Sequence, residues 1–180
     1  GLSQLGHVTG QVCDMSQPDA IAAWVEQAGE LMGGIDICIG NASASGQRGE
    51  GPDPWRASFE VDILGSAMFY EAAKPFLIQS AAAAIVQIAT ITAIEHHDVP
   101  ISPSYGASKA ATINLIAQLA QRWGPEGIRA NTVSPGPILI AAGQWDMIRD
   151  RMPALYEKDR LQHPLQRMGT GDEIADVVAF

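Results

Sequence analysis

Tyr105 and Lys109 are the residues of this 180-residue chain whose types and spacing point most directly to chemistry. In the stretch Ser104-Tyr105-Gly106-Ala107-Ser108-Lys109-Ala110-Ala111 they stand four apart, and at that spacing two side chains share one face of a helix. Free tyrosine titrates near ~10, too high for an acid or base at neutral pH, but a fixed ammonium beside it favours the phenolate and lowers that value. The pair is a recipe for a proton donor; the plainer alternative is a solvated helix face.

The neighbouring elements decide between these readings. Upstream, Ala84-Ile85-Val86-Gln87-Ile88-Ala89-Thr90 is a short apolar run suited to a buried parallel strand, and it ends in a hydroxyl. The helix that carries the pair runs to about Trp123 and stops at Gly124-Pro125. Ile128 to Val133 then reads as the next strand, closed by Ser134-Pro135-Gly136-Pro137-Ile138. Strand with hydroxyl, Tyr-x-x-x-Lys helix, strand and Pro-Gly, in that order, is far more specific than any one part.

Earlier in the chain, residues 7 to 13 read as a strand and Gln17 to Met32 as a helix stopped by Gly33-Gly34. Ile35 to Gly40 is a β-branched apolar strand. A long helix follows from about Pro54 to Gln79, with Pro75 expected to kink it because proline removes a backbone donor. On this helix Trp55, Phe59 and Tyr70 are read as core or subunit interface. Single strands alternating with helices give a parallel sheet covered on both faces, and ligands of such sheets bind beyond the carboxyl ends of the strands. Asp14, Asn41, Thr90 and Pro135-Gly136 all fall at those ends.

Taken together, these motifs resemble the short-chain dehydrogenase/reductase family over nearly the whole chain. Val12-Cys13-Asp14 is similar to the family's third strand with its adenine-side Asp, and Asn41-Ala42-Ser43 to its Asn-Ala-Gly turn. Val61-Asp62-Ile63-Leu64-Gly65 stands where the family has Val-Asn-x-x-Gly, and Thr90 where it has a catalytic Ser. Tyr105 and Lys109 match the catalytic pair. The resemblance implies a Rossmann-like doubly wound parallel sheet in three α/β/α layers, a single NAD(P)-binding domain over residues 1–180, and a homodimer or homotetramer.

It also implies an NAD- or NADP-dependent oxidoreductase acting on a small carbonyl or alcohol, of the 3-oxoacyl reductase type, with Tyr105 as general acid/base. Thr90 would bond the substrate oxygen. Lys109 would lower the Tyr105 pKa and hold the nicotinamide ribose. Asp14 would meet the adenine, Asn41, Ala42 and Ser43 would approach the ribose and phosphates, and Pro135, Gly136 and Ile138 would support the nicotinamide. A catalytically impaired sensor or scaffold of the same fold is the alternative.

Three departures bear on that choice. Thr92 offers a rival hydroxyl just past the strand end, in a loop about two residues longer than the family's. Asp62 replaces an Asn, and its charge near Lys109 would offset part of the ammonium's effect on Tyr105. Ile140 replaces a Thr that bonds the nicotinamide carboxamide. The Gly-rich phosphate turn is nowhere in the sequence, the chain opens with Gly, and Thr170-Gly171-Asp172-Glu173 starts a helix in which the chain stops. The expectation is an incomplete sheet without its first two strands and its last, inactive by itself, with residues 1 to 34 poorly anchored.

Composition narrows the partners. A formal charge of −9, from 20 acidic against 11 basic groups, argues against nucleic acid and anionic membrane. Cys13 and Cys38 have no Cys-x-x-Cys spacing and read as small buried hydrophobes in a reducing, cytoplasmic setting. His96-His97-Asp98 has no metal-ligand spacing, so no metal is expected, and residues 141 to 169 occupy the place of the family's substrate-covering lid.

Overall fold

The computed structural model describes residues 6–44, 50–95 and 102–180. Three parallel strands form the main sheet in the order β1 (Ile37–Gly40), β2 (Ala84–Ile88), β3 (Arg129–Val133). The register runs Ile39 to Val86 to Asn131, so β2 is central and Ala84 to Gln87 are all buried. The expected parallel α/β architecture is present, with helices connecting successive strands.

Helix α1 (Pro18–Met32) begins with proline in its first turn, where a missing N–H costs nothing, and ends on Gly33 at φ 77°, a left-handed conformation that glycine adopts without strain. It buries Ile21, Val25 and Gly29, and Trp24 stacks on Phe69 of α3 (Ser66–Leu77) at 5.7 Å between ring centroids. The expectation that residues 1 to 34 are poorly anchored fails for α1, which is docked. Residues 7 to 13, by contrast, form no strand, and Val12 is 98% exposed. A strand exists only as a pairing, and none of the described residues pairs with this segment.

The long helix expected from Pro54 to Gln79 is instead three pieces: α2 (Pro52–Ala57), a π-helical turn over Ser58–Gly65, and α3. The change of geometry falls at 58–65, while Pro75 lies within α3. π-turns are short and frequently mark functional positions. Tyr70 is wholly buried as expected, but Trp55 and Phe59 are about half exposed, at 51% and 56%, so the core reading holds for Tyr70 alone.

The apolar core lies on the side of the sheet that faces α1, α3 and α4 (Pro103–Trp123), around Ile21, Tyr70, Leu77, Ile85, Ile116 and Ile128. Cys38 belongs to it, and burial pushes its thiol up to about 12, so it behaves as a neutral small hydrophobe. Beyond β3 the chain makes a two-residue strand β4 (Ile138–Leu139), then α5 (Gln144–Arg151) and α6 (Pro153–Gln162). β5 (Gly169–Thr170) returns to pair with β4, which clasps both ends of this excursion. Thr170 and Glu173 then form the expected capping box at the start of α7 (Gly171–Ala179). Among the described residues no helix is long and apolar enough to cross a membrane.

One polar clamp inside the core aligns strand with helix. The Tyr70 hydroxyl donates to Gln87 Oε1 at 2.8 Å, and Gln87 Nε2 donates to the carbonyls of Gly40 and Ile88 at 3.0 Å each. The clamp fits only because residue 40 is glycine, since a Cβ there would lie 2.6 Å from Gln87 Oε1 and closer still to the Tyr70 hydroxyl. Gly40→Ala should therefore lower stability by about 2–4 kcal/mol, through overpacking and loss of buried hydrogen bonds. Urea denaturation measures it, and an unchanged midpoint would contradict the clamp.

Candidate active site

The carboxyl ends of β2 and β3 are zipped beyond the strands themselves. Ala89 N–H donates to Val133 O at 2.8 Å and Ile91 N–H to Pro135 O at 2.9 Å, so the Thr90 loop and the Pro135 turn lie side by side. Between them, the first turn of α4 and the start of α5 lies a cavity of about 220 Å³. Thr90, Thr92, Tyr105, Pro135, Gly136 and Ile138 all line it. Five of these are expected site residues, and the sixth, Thr92, is the rival hydroxyl.

Tyr105 enters this cavity because α4 is held close to the β2 loop. A Cβ on Gly106 would stand 2.9 Å from the Thr92 carbonyl, so glycine is what permits the approach. The helix start is further fixed by hydroxyls that the sequence reading did not single out: Ser58 Oγ donates to Ser104 Oγ at 3.0 Å, and Ser102 and Ser104 share a bond at 2.9 Å.

Behind Tyr105 sits a buried ion pair. Lys109 Nζ is 3.2 Å from Asp62 Oδ1, with side-chain exposures of 3% and 0%, and it donates to the Ile88 carbonyl at 3.1 Å. The other Asp62 oxygen, Oδ2, accepts the Ala44 N–H at 3.1 Å. Asp62 thereby fastens the segment after β1, which includes Asn41, Ala42 and Ser43, to the π-turn and α4. Asp62 Oδ1 has the ammonium within ion-pair distance but no well-aligned hydrogen bond.

The electrostatic outcome corrects one expectation. Lys109 was expected to lower the Tyr105 pKa, yet the phenol is held above its ordinary value. Burial is the main cause; a hydrogen bond from Thr90 opposes it and the Asp62 charge adds to it. The ammonium lies 5.9 Å from the Tyr105 ring centroid and is already paired with Asp62, so the offset expected from the carboxylate is what the structure shows.

Other expected residues fall differently. Asp14 does not line the cavity: its Oδ1 accepts the backbone N–H of Ser16 at 2.9 Å and its hydroxyl at 2.8 Å, a local turn before α1. Those bonds hold its carboxyl below the usual range. Ile140 is 55% exposed and is also absent from the lining. Gln144 and Trp145 do line it; Trp145 was legible only as part of the lid segment, and Gln144 carried no signal beyond its place after Gly143. His96-His97-Asp98 lies outside the described residues. Among the described residues no group of three or more His, Cys, Asp or Glu is placed to hold a metal.

Fold and rim together define a doubly wound α/β protein of the Rossmann type with its candidate site at the carboxyl ends of the strands. The chain belongs to the short-chain dehydrogenase/reductase family: a family model described as enoyl-(acyl carrier protein) reductase matches residues 2–180. It is 36% identical over 171 residues to the isoepoxydon dehydrogenase patN of Penicillium expansum, an alignment covering 95% of this chain and 65% of that one. It is 28% identical over 174 residues to cis-4-hydroxycyclohexanecarboxylate dehydrogenase of Sinomonas cyclohexanicum, covering 93% and 66%. A crystal structure of a short chain dehydrogenase from Burkholderia cenocepacia J2315 in complex with NADP superposes with a TM-score of 0.78 at 28% identity, covering 93% of this chain and 66% of that one. The chain thus spans about 64–65% of the length of the first curated relatives it matches.

Asp62→Asn removes the charge beside Lys109 and keeps the shape, so the Tyr105 phenol should titrate at lower pH than in the wild type. Carbon-13 NMR of the labelled tyrosine Cζ, assigned with Tyr105→Phe, reads this. An unmoved titration would show that the carboxylate is not felt at the phenol.

Proposed function

We propose that the protein is an NAD- or NADP-dependent oxidoreductase that transfers hydride between the nicotinamide and a small carbonyl or secondary alcohol, with Tyr105 as general acid/base. The observation that carries this reading is the meeting of Tyr105, Thr90 and the Pro135–Ile138 wall around one cavity at the strand ends.

The residues present fit a nicotinamide. Pro135, Gly136 and Ile138 offer an apolar wall. Lys109 has three N–H donors, of which one is used on Ile88 O and one faces Asp62 Oδ1, leaving a third for the ribose hydroxyls. Asn41, Ala42 and Ser43, anchored through Ala44 and Asp62, would approach the ribose and phosphates, and Asp14 would meet the adenine. Bound there, the cofactor supplies the hydride in reduction and accepts it in oxidation.

In reduction, Tyr105 gives its phenolic proton to the carbonyl oxygen while Thr90 hydrogen-bonds that oxygen. Burial keeps the phenol protonated at neutral pH, which suits the acid role. In oxidation the phenolate must form first, so the oxidative rate rises with pH through the raised Tyr105 pKa. Lys109 and Asp62 hold the position and charge balance behind the phenol and touch no substrate atom in this scheme. The whole protein would work as a homodimer or homotetramer.

For the substrate, the 3-oxoacyl type has the family description's acyl-carrier wording behind it, whereas a relative named for a hydroxycyclohexane carboxylate points to a cyclic alcohol. Both classes are probed, as an acetoacetyl thioester and as 4-oxocyclohexanecarboxylate. No specific observation favours a non-catalytic sensor or scaffold, since the hydroxyls and the phenol stand around one cavity.

Tyr105→Phe in the whole protein should lower kcat by roughly 10²–10⁴-fold, the span of a lost general acid, with cofactor affinity within a few-fold of wild type. Turnover retained by Tyr105→Phe would sink the assignment.

A further inference from the structure

Gln144 and Trp145 line the cavity from the first turn of α5, and the proton and hydride transfers leave both without a task. Each is partly removed from water, yet neither the Gln144 carboxamide nor the Trp145 indole N–H makes a hydrogen bond with any other described residue. An amide carries two N–H donors and a carbonyl acceptor, and the indole carries one donor. Polar groups held in this way are open to a ligand.

Their position is fixed by the turn that precedes them. Gly143 N–H donates to the Ile140 carbonyl at 2.9 Å, and Ala142 N–H donates to Asp146 Oδ2 at 2.8 Å. The start of α5 is thereby tied to the end of β4, and the amide is set before any ligand arrives.

The cavity wall is also uncharged. Tyr105 is the one ionisable side chain on it among the described residues. The cations nearby are spoken for: Lys109 is 3% exposed and paired with Asp62, and Arg149 on α5 pairs with Asp146 and Asp150. A carboxylate entering here would give up its water without meeting a cation, whereas a hydroxyl or carbonyl can be satisfied by an amide. At about 220 Å³ the space is also small beside the roughly 300–1,000 Å³ of sites for drug-sized ligands.

Resting on the oxidoreductase reading above, we propose that the substrate is a small uncharged ketone or secondary alcohol bearing a second oxygen, and that Gln144 is the specificity residue that hydrogen-bonds this second oxygen. Hydride and proton go to the reacting carbonyl as before; the second oxygen only binds. Trp145 offers an apolar ring face beside it.

Three ring ketones separate the classes in the whole protein: 4-hydroxycyclohexanone, cyclohexanone and 4-oxocyclohexanecarboxylate. The wild type should favour 4-hydroxycyclohexanone in kcat/KM by about 10-fold over cyclohexanone, as for one hydrogen bond, and by about 10²-fold over the carboxylate, as for an unpaired charge taken from water. Gln144→Leu should abolish the first preference, chiefly through KM. Gln144→Arg should reverse the second by supplying the missing cation, a gain that a merely structural role of residue 144 would not produce. A wild type that prefers the carboxylate, or a Gln144→Leu enzyme that keeps its preference for the hydroxyl, would overturn the specificity proposal and leave the oxidoreductase reading standing. A whole protein that moves hydride neither to these ketones nor to an acetoacetyl thioester, with NADH or NADPH, would overturn the oxidoreductase reading and the role of Gln144 along with it.

Discussion

The rim of this sheet hangs on one buried ion pair. Asp62 and Lys109 are both removed from water, and taking two charges out of solvent is costly unless each finds partners. The structure supplies them unequally: Lys109 holds the Ile88 carbonyl and Asp62 holds the Ala44 N–H, while Asp62 Oδ1 faces the ammonium without a well-aligned bond. Removing one partner of such a pair typically costs about 3–5 kcal/mol, because the other charge is stranded. Four pieces of the chain meet at this point: the segment after β1, the π-turn, the end of β2 and α4.

The local geometry follows from that requirement. The π-turn at Ser58–Gly65 places Asp62 at 0% exposure facing α4, and Gly65 lies where any Cβ would press on the Met15 carbonyl. The hydroxyls of Ser58, Ser102 and Ser104 also join the π-turn to the start of α4. The chemistry inherits the arrangement: burial outweighs the Thr90 hydrogen bond, the Asp62 charge adds to it, and the phenol is left as a protonated donor.

Much of this was legible in the sequence. The order of apolar runs and helices fixed a parallel sheet, the Tyr-x-x-x-Lys spacing located the face of α4 that meets the cavity, and Thr170 with Glu173 announced α7. The expectation that Asp62 would offset Lys109 needed only the two charges and their places in the motif. What stayed hidden was non-local. Residues 7 to 13 have the composition of a strand but no partner among the described residues, and β4 pairs with β5 across some thirty residues through two positions each. The π-turn could not be read either, since apolar spacing alone does not distinguish it from an α-helix of similar length. The direction of the Tyr105 shift depends on burial, which no spacing reveals.

Amide hydrogen exchange at Ala44 tests the central role of Asp62 most directly, because it needs neither cofactor nor substrate. The Ala44 N–H should be protected in the wild type and should exchange about 10–100-fold faster in Asp62→Ala, as expected for loss of a hydrogen bond to a charged acceptor, while Val86 in the central strand keeps its protection. An Ala44 amide that exchanges at an open-chain rate in the wild type, or is indifferent to Asp62→Ala, would contradict the junction on which the rest of the site depends.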